Sequence, residues 1–295
     1  MLDWSITLLR LIQLSSGALL FGVPFFSLYG PREAGALMTR ILWIALVGMV
    51  LATAVTVVLQ TSSLTGIPLG AALFVDLIWY LTETRIGSIN GLKVIGLVGY
   101  AILIATAASS MMRSVMQALL GGAILGSFAL TGHGAENLSH SFSNFVHVLM
   151  AGVWVGALAS LCGLVFHASR NSQFIPATVR GLNSFSRVGV AVVALLVASG
   201  VSNALFAFGI FDPSALYRSQ YGQILLIKLA LLAGMVVLAA ANRYRLAPSL
   251  ERSLRTGNAS DALRSLRRSV FTETTIAVVV LGLAAHLAST EPPDV

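Results

Sequence analysis

Long apolar runs separated by short polar stretches dominate the chain. Eight of them predict transmembrane helices, at about 4–29, 39–60, 91–108, 113–131, 142–167, 185–208, 221–241 and 269–288. Each comes close to or exceeds the ~20 residues that carry a helix across a ~30 Å hydrocarbon core. Gly30-Pro31 stops the first helix and Asp212-Pro213 breaks the chain after the sixth. The N-terminal run is too long for a signal-peptide core and shows no small-residue cleavage pattern, so it is expected to remain as the first span. The stretch 67–84 is only moderately apolar and carries Asp76 and Glu83. It predicts a helix lying at the interface or partly re-entrant, because a ninth crossing would spoil the charge asymmetry of the loops. No soluble segment is long enough for a second domain. The expected fold is one all-α polytopic helical bundle over residues 1–295.

Composition and charge sharpen this picture. Hydrophobic residues make up 57% of the chain and charged residues only 10%, where globular domains carry roughly a quarter. The net charge of +7 comes from 18 basic against 11 acidic residues. Loops one, three, five and seven hold most of the arginines, among them Arg32, Arg113, Arg170, Arg180, Arg243 and Arg267, while the other side has little beyond Arg85, Lys93 and Arg218. This is topology signalling rather than a nucleic-acid surface. The arginine-rich side is expected to be cytoplasmic, which places both termini on the periplasmic side of a bacterial inner membrane. Cys162 is the single cysteine, which excludes an internal disulfide and a Cys-x-x-Cys metal site.

Four of the five histidines fall between Thr131 and His167, where one predicted span ends and the next begins. Imidazole suits copper, zinc, iron and nickel, and thioether selects copper(I), so histidine with methionine leans towards copper. His140 and His147 are seven residues apart, on nearly one helical face but ~10 Å apart along the axis. Two stations follow: an outer one from His133, Glu136 and His140, and a deeper one from His147 with Met150 on the same face. Trp154 lies one heptad below His147. His286, near the outward end of the last helix, is a candidate to complete a site. Met112 and Met116 share a face and form a candidate exit. Lys228 and Glu273 are charges inside predicted spans, at depths too different to pair. Each is expected to point into the bundle, as a structural anchor or as part of a proton or ion relay.

Several blocks resemble the copper resistance protein D family. These are Phe185-Ser186-Arg187, Ser199-Gly200, the run YGQILLIK from Tyr221 to Lys228, Ala241-Asn242-Arg243 with Pro248, and Leu266-Arg267-Arg268-Ser269-Val270 to Glu273. HVLMAGVWVGAL, from His147 to Leu158, and Thr131-Gly132-His133 extend the likeness. The resemblance implies an eight-helix inner-membrane protein linked to copper import or handling, with a copper ion, Cu+ or Cu2+, as cargo. It implies a periplasmic copper carrier of the copper resistance protein C type as donor. Position by position it picks out His133, His147, Trp154, Lys228, Asn242, Arg243 and Glu273, whereas Glu136, His140, Met150 and His286 rest on ligand chemistry alone. The expectation is a copper importer, not an enzyme. The alternatives are a b-type haem electron-transfer protein using His147 with His286, and a copper delivery or sensing factor that does not transport.

Overall fold

The computed structural model describes residues 2–33, 35–66, 73–106, 111–131, 137–208, 213–256 and 260–290. Among these residues every regular element is helical: α1 (Leu2–Tyr29), α2 (Gly35–Thr65), α3 (Leu73–Glu83), α4 (Arg85–Ala105), α5 (Met111–Gly126), α6 (Leu138–Arg170), α7 (Ile175–Phe208), α8 (Pro213–Arg218), α9 (Gln220–Ala241), α10 (Ala247–Thr256) and α11 (Ser260–Leu287). A 3-10 turn, Ser127–Leu130, extends α5, and a π-helical turn, Asn242–Leu246, follows α9. Eight of the helices are long and apolar enough to cross a membrane, and the eleven-residue α3 is not among them. The bundle is therefore an all-α, multi-pass membrane architecture. Its surface is covered by side chains such as Ile44, Leu119 and Val237, an apolar exterior that a bilayer solvates and water does not.

Several helices begin earlier than hydropathy predicts. α7 starts at Ile175 rather than 185, α11 at Ser260 rather than 269, and α4 at Arg85 rather than 91. The turns added to α4 and α11 carry polar or charged residues: Thr84 caps α4 by accepting from Gly87 N, and Arg264 of α11 pairs with Asp261 one turn before it; those added to α7 bury Ile175, Val179 and Leu182 in the core. The apolar run marks the thickness of the bilayer, while the helix itself continues until a cap stops it.

Helix α1 is the hub, packed against α2, α5, α6 and α11. Its approach to α6 is set by glycine. A Cβ on Gly22 would stand 2.0 Å from Gly152 O, and one on Gly156 would stand 2.0 Å from Gly22 C. The pair Gly152 and Gly156, four apart on α6, lets the two backbones touch, as small residues do at membrane helix crossings. Pro24 lies inside α1 and has no N–H for the Leu20 carbonyl one turn back. The Tyr100 hydroxyl of α4 donates to that carbonyl at 2.5 Å. A helix-breaking residue is thus tolerated because a neighbouring helix satisfies the freed group.

A polar chain also crosses the interior of the N-terminal half. Lys93, 5% exposed, donates to Asn90 Oδ1 at 3.3 Å and lies 4.2 Å over the Phe128 ring. Asn90 Nδ2 donates to the Tyr80 hydroxyl, which donates to Gln60 Oε1 at 2.6 Å. Beside it Gln13 Nε2 donates to Thr56 Oγ1.

Candidate metal-handling site

Two histidines line one seam. Helix α6 runs without interruption from Leu138 to Arg170 and lies against α7. At its start Asn137 Oδ1 accepts from the backbone N–H groups of Ser139 and His140, so His140 sits in the first turn. Its ring stacks on Phe206 of α7, centroids 4.7 Å apart. Two turns along, His147 Nδ1 lies 3.0 Å from Ser199 Oγ, also on α7. Positions 140 and 147 of one helix thus meet 206 and 199 of its antiparallel neighbour, seven residues apart on each. Both imidazoles belong to the seam, at different depths.

The tautomer at His147 follows from its partner. Ser199 Oγ donates its single proton to the Leu195 carbonyl at 2.6 Å. Its oxygen therefore accepts from Nδ1–H, which leaves Nε2 carrying the lone pair that a metal takes. The backbone of Leu196, on α7, is a further hydrogen-bond partner of the same imidazole. The ring passes over Gly200 at ordinary van der Waals distance. The charge of Lys228, on α9, acts on the same imidazole. Met150, one turn further on α6, is half-buried against the core.

Deeper in the bundle the seam reaches a buried carboxylate. Trp154, 3% exposed, donates through Nε1 to Glu273 Oε1 at 3.0 Å. Asn242 Nδ2 donates to Glu273 Oε2 at 3.0 Å, and Glu273 itself is 1% exposed. Asn242 opens the π-helical turn. That turn sends Arg243, the next residue, to the Ser186 carbonyl of α7 at 2.9 Å. π-Turns of this kind recur at functional sites because the widened turn redirects side chains. Trp154, Glu273, Asn242 and Arg243 line a largely apolar cavity of ≈ 400 Å³ between α7 and α9. Neither Arg267 nor Arg268 makes an ion pair with Glu273; its partners are neutral donors.

Other predicted site residues lie elsewhere. His286 stacks on Trp4 of α1, centroids 5.7 Å apart, so it faces a different helix from His147. The facing pair that a b-type haem needs is not formed by these two rings. Met112 and Met116 are 65% and 49% exposed, on the outside of α5. His167 Nδ1 lies 2.8 Å from the carbonyl of Gly163, one turn back. His133 and Glu136 lie outside the described residues. Among the described residues no three His, Cys, Asp or Glu side chains form a cluster fit to hold a metal. Among the described residues, His140 and His147 stand singly at successive depths along the seam.

A membrane-embedded seam carrying two imidazoles, followed by a buried carboxylate, defines a multi-pass membrane protein with ionisable groups aligned through its interior. The sequence profile described as copper resistance protein D matches residues 179–287, and that of the copper resistance protein D-like N-terminal domain matches residues 1–139. The chain is 35% identical over 289 residues to copper resistance protein D of Pseudomonas syringae pv. tomato, covering 93% of this chain and 92% of that protein. It belongs to the copper resistance protein D family. It is also 34% identical over 158 residues to the inner membrane protein YebZ of Escherichia coli K12, covering 52% of this chain and 49% of that one. With the copper transport protein CutJ of Bacillus subtilis 168 it shares 31% identity over 170 residues, 56% of this chain and 28% of that protein. No solved structure matches. The protein is accordingly a copper-related, multi-pass membrane protein.

Proposed function

We propose that this chain is a copper transporter of the bacterial inner membrane, not an enzyme, and that it moves the ion from periplasm to cytoplasm. In this reading both termini face the periplasm. The copper ion is received near His133, Glu136 and His140 from a periplasmic carrier of the copper resistance protein C type. It then passes His147 with Met150 and continues along the seam towards the arginine-rich end. The observation that carries the reading is the contact of His147 Nδ1 with Ser199 Oγ at 3.0 Å, which orients the imidazole in the seam and favours Nε2 as its lone-pair donor inside the membrane. Single-ligand stations suit transit, because conduction needs sites that bind well enough to load and weakly enough to release.

The test is copper uptake into proteoliposomes of defined orientation, with metal content measured alongside. Saturable inward flux, lost in His147→Ala, is the expected result. Flux that survives the substitution overturns the role of His147, and binding without flux replaces transport with delivery or sensing.

A further inference from the structure

Glu273 is the only acidic side chain that is buried among the described residues. It lies in the wall of the ≈ 400 Å³ cavity between α7 and α9. A charge in a bilayer interior is ordinarily paired, yet the charges of the elements packed against α11 are engaged elsewhere or exposed. On α1, Arg10 is held on the Ala288 carbonyl at the far end of α11, and Tyr29 packs edge-on against Phe25 and Phe26. On α6, Cys162 lies within electrostatic reach, with Sγ 3.1 Å from Thr274 Oγ1, and His167 is held on Gly163 O. On α9, Lys228 acts on His147. The π-helical turn directs Arg243 to the Ser186 carbonyl. Glu251 and Arg252 on α10 are exposed, as are Arg267 and Arg268 on α11 itself.

The two groups that do hold the carboxyl serve both of its protonation states. Trp154 Nε1 is a donor only, and it donates to Oε1, an oxygen that accepts whether the group is ionised or not. Asn242 is different, because its carboxamide carries both a donor and an acceptor. Nδ2 donates to Oε2 at 3.0 Å, while Oδ1 is buried without a hydrogen-bond partner among the described residues. A half-turn of the carboxamide exchanges the two atoms. Oδ1 then accepts from Oε2–H of the acid, and Nδ2 becomes the idle atom. One polar atom of Asn242 is unpaired in either arrangement, so the pair holds carboxylate and acid on similar terms. Hydrogen bonds that serve the charged form alone would fix it; a partner that reverses does not.

We propose that Glu273 takes up and gives up a proton, Asn242 turning over to hold it, and that positive charge entering the seam expels this proton through the cavity. On uptake the O–H bond forms at Oε2 and Asn242 Oδ1 accepts it. On release the proton passes to water at the arginine-rich end, where Arg243 and Tyr244 line the cavity and Tyr244 is exposed. Trp154, which touches the carboxyl group, stands one heptad below His147 on α6, ~10 Å along the axis. A cation held at His147 therefore acts on Glu273 across an interior of low dielectric, which screens little. Its field favours carboxylate over acid. The proton site rests on the geometry around Glu273 alone, whereas its coupling to the seam rests on the copper reading.

Infrared difference spectroscopy of the purified full-length chain, titrated with acid and base, reads the proton directly. The expected result is a carboxylic-acid carbonyl band that appears on acidification, is lost in Glu273→Gln and shifts in Asn242→Leu. Glu273→Gln keeps an oxygen for Trp154 and offers an amide donor to Asn242 Oδ1, so it is expected to fold even if Asn242→Leu does not. Identical titrating bands in wild type and Glu273→Gln overturn the proposal, whatever copper does. Copper(I) is then added to weakly buffered, anaerobic protein with a pH-sensitive dye, and bound copper is counted in the same sample. Proton release that Glu273→Gln loses while it retains bound copper supports the coupling. Equal release by both, or copper bound by wild type without release, overturns it. If no copper binds, the copper reading and the coupling fall together, and the infrared band alone decides the proton site.

Discussion

Trp154 donates from Nε1 to Glu273 Oε1 at 3.0 Å, joining α6 to α11 across 119 positions of sequence. The carboxylate is buried and the indole is one of its two donors, the other being Asn242. Trp154→Phe keeps most of the ring but removes the N–H, leaving a buried oxygen unsatisfied at a cost of about 1–3 kcal/mol. Glu273→Met removes the acceptor. In that background Trp154→Phe costs only packing, so thermal unfolding of the two singles and the double is expected to reveal a coupling of the size of one hydrogen bond. Additive effects would refute the coupling.

The Tyr100 hydroxyl answers the carbonyl that Pro24 leaves open at Leu20. Tyr100→Phe therefore destabilises the bundle by about 1–2 kcal/mol in the native sequence. In a Pro24→Ala background residue 24 regains its N–H and α1 satisfies Leu20 internally, so the same substitution becomes nearly neutral. Equal losses in both backgrounds, read as detergent unfolding midpoints, would contradict this account.

Glycines at two places are expected to respond with opposite sign. Gly22→Ala drives a methyl into the backbone at Gly152 O, 2.0 Å away, and separates α1 from α6. Overpacking of this kind costs at least about 1–3 kcal/mol, and here no flexible side chain can yield. Gly234→Ala, on α9 with nothing within 4 Å of the new Cβ, gains up to about 1 kcal/mol from helix propensity. The folded fraction recovered after extraction and the thermal midpoint of each variant distinguish the two cases.

The spans were legible because lipid contact demands apolar residues all along them; of the stretch 67–84, residues 67–72 lie outside the described residues, and the eleven-residue α3 is not among the eight spans. Helix ends were less legible, with consequences for the site. Placing the start of α4 at 91 puts Lys93 at the rim with the loop charges. The helix begins at Arg85, which carries Lys93 into the interior and onto Asn90 and Phe128. An ionisable residue within an apolar run was the signal that singled out Lys228 and Glu273, and read with the correct boundary it singles out Lys93 too. Family-like spacing pointed to Trp154, Asn242 and Glu273, yet their hydrogen bonds join three helical segments far apart in sequence. Likewise Ser199 stood out only as part of a motif, because its service to His147 depends on how α6 lies against α7.

That service yields the sharpest test of the copper reading. Ser199 Oγ passes its own proton to Leu195 O and accepts from His147 Nδ1–H, which keeps the lone pair on Nε2. Ser199→Ala removes the acceptor while leaving the imidazole in place. The ring is then free to protonate at either nitrogen and to rotate, and loss of such a supporting partner typically weakens metal affinity 10–100-fold. Copper uptake by Ser199→Ala proteoliposomes is accordingly expected to need roughly 10–100-fold more copper for half-saturation, while His147→Ala abolishes uptake at any concentration. Ser199→Thr restores the hydroxyl and is expected to recover most of the affinity. If Ser199→Ala matches wild type while His147→Ala is inactive, the metal binds through the other nitrogen and the tautomer argument fails. If the alanine and threonine variants are equally impaired, Ser199 acts through packing of the seam rather than through its oxygen.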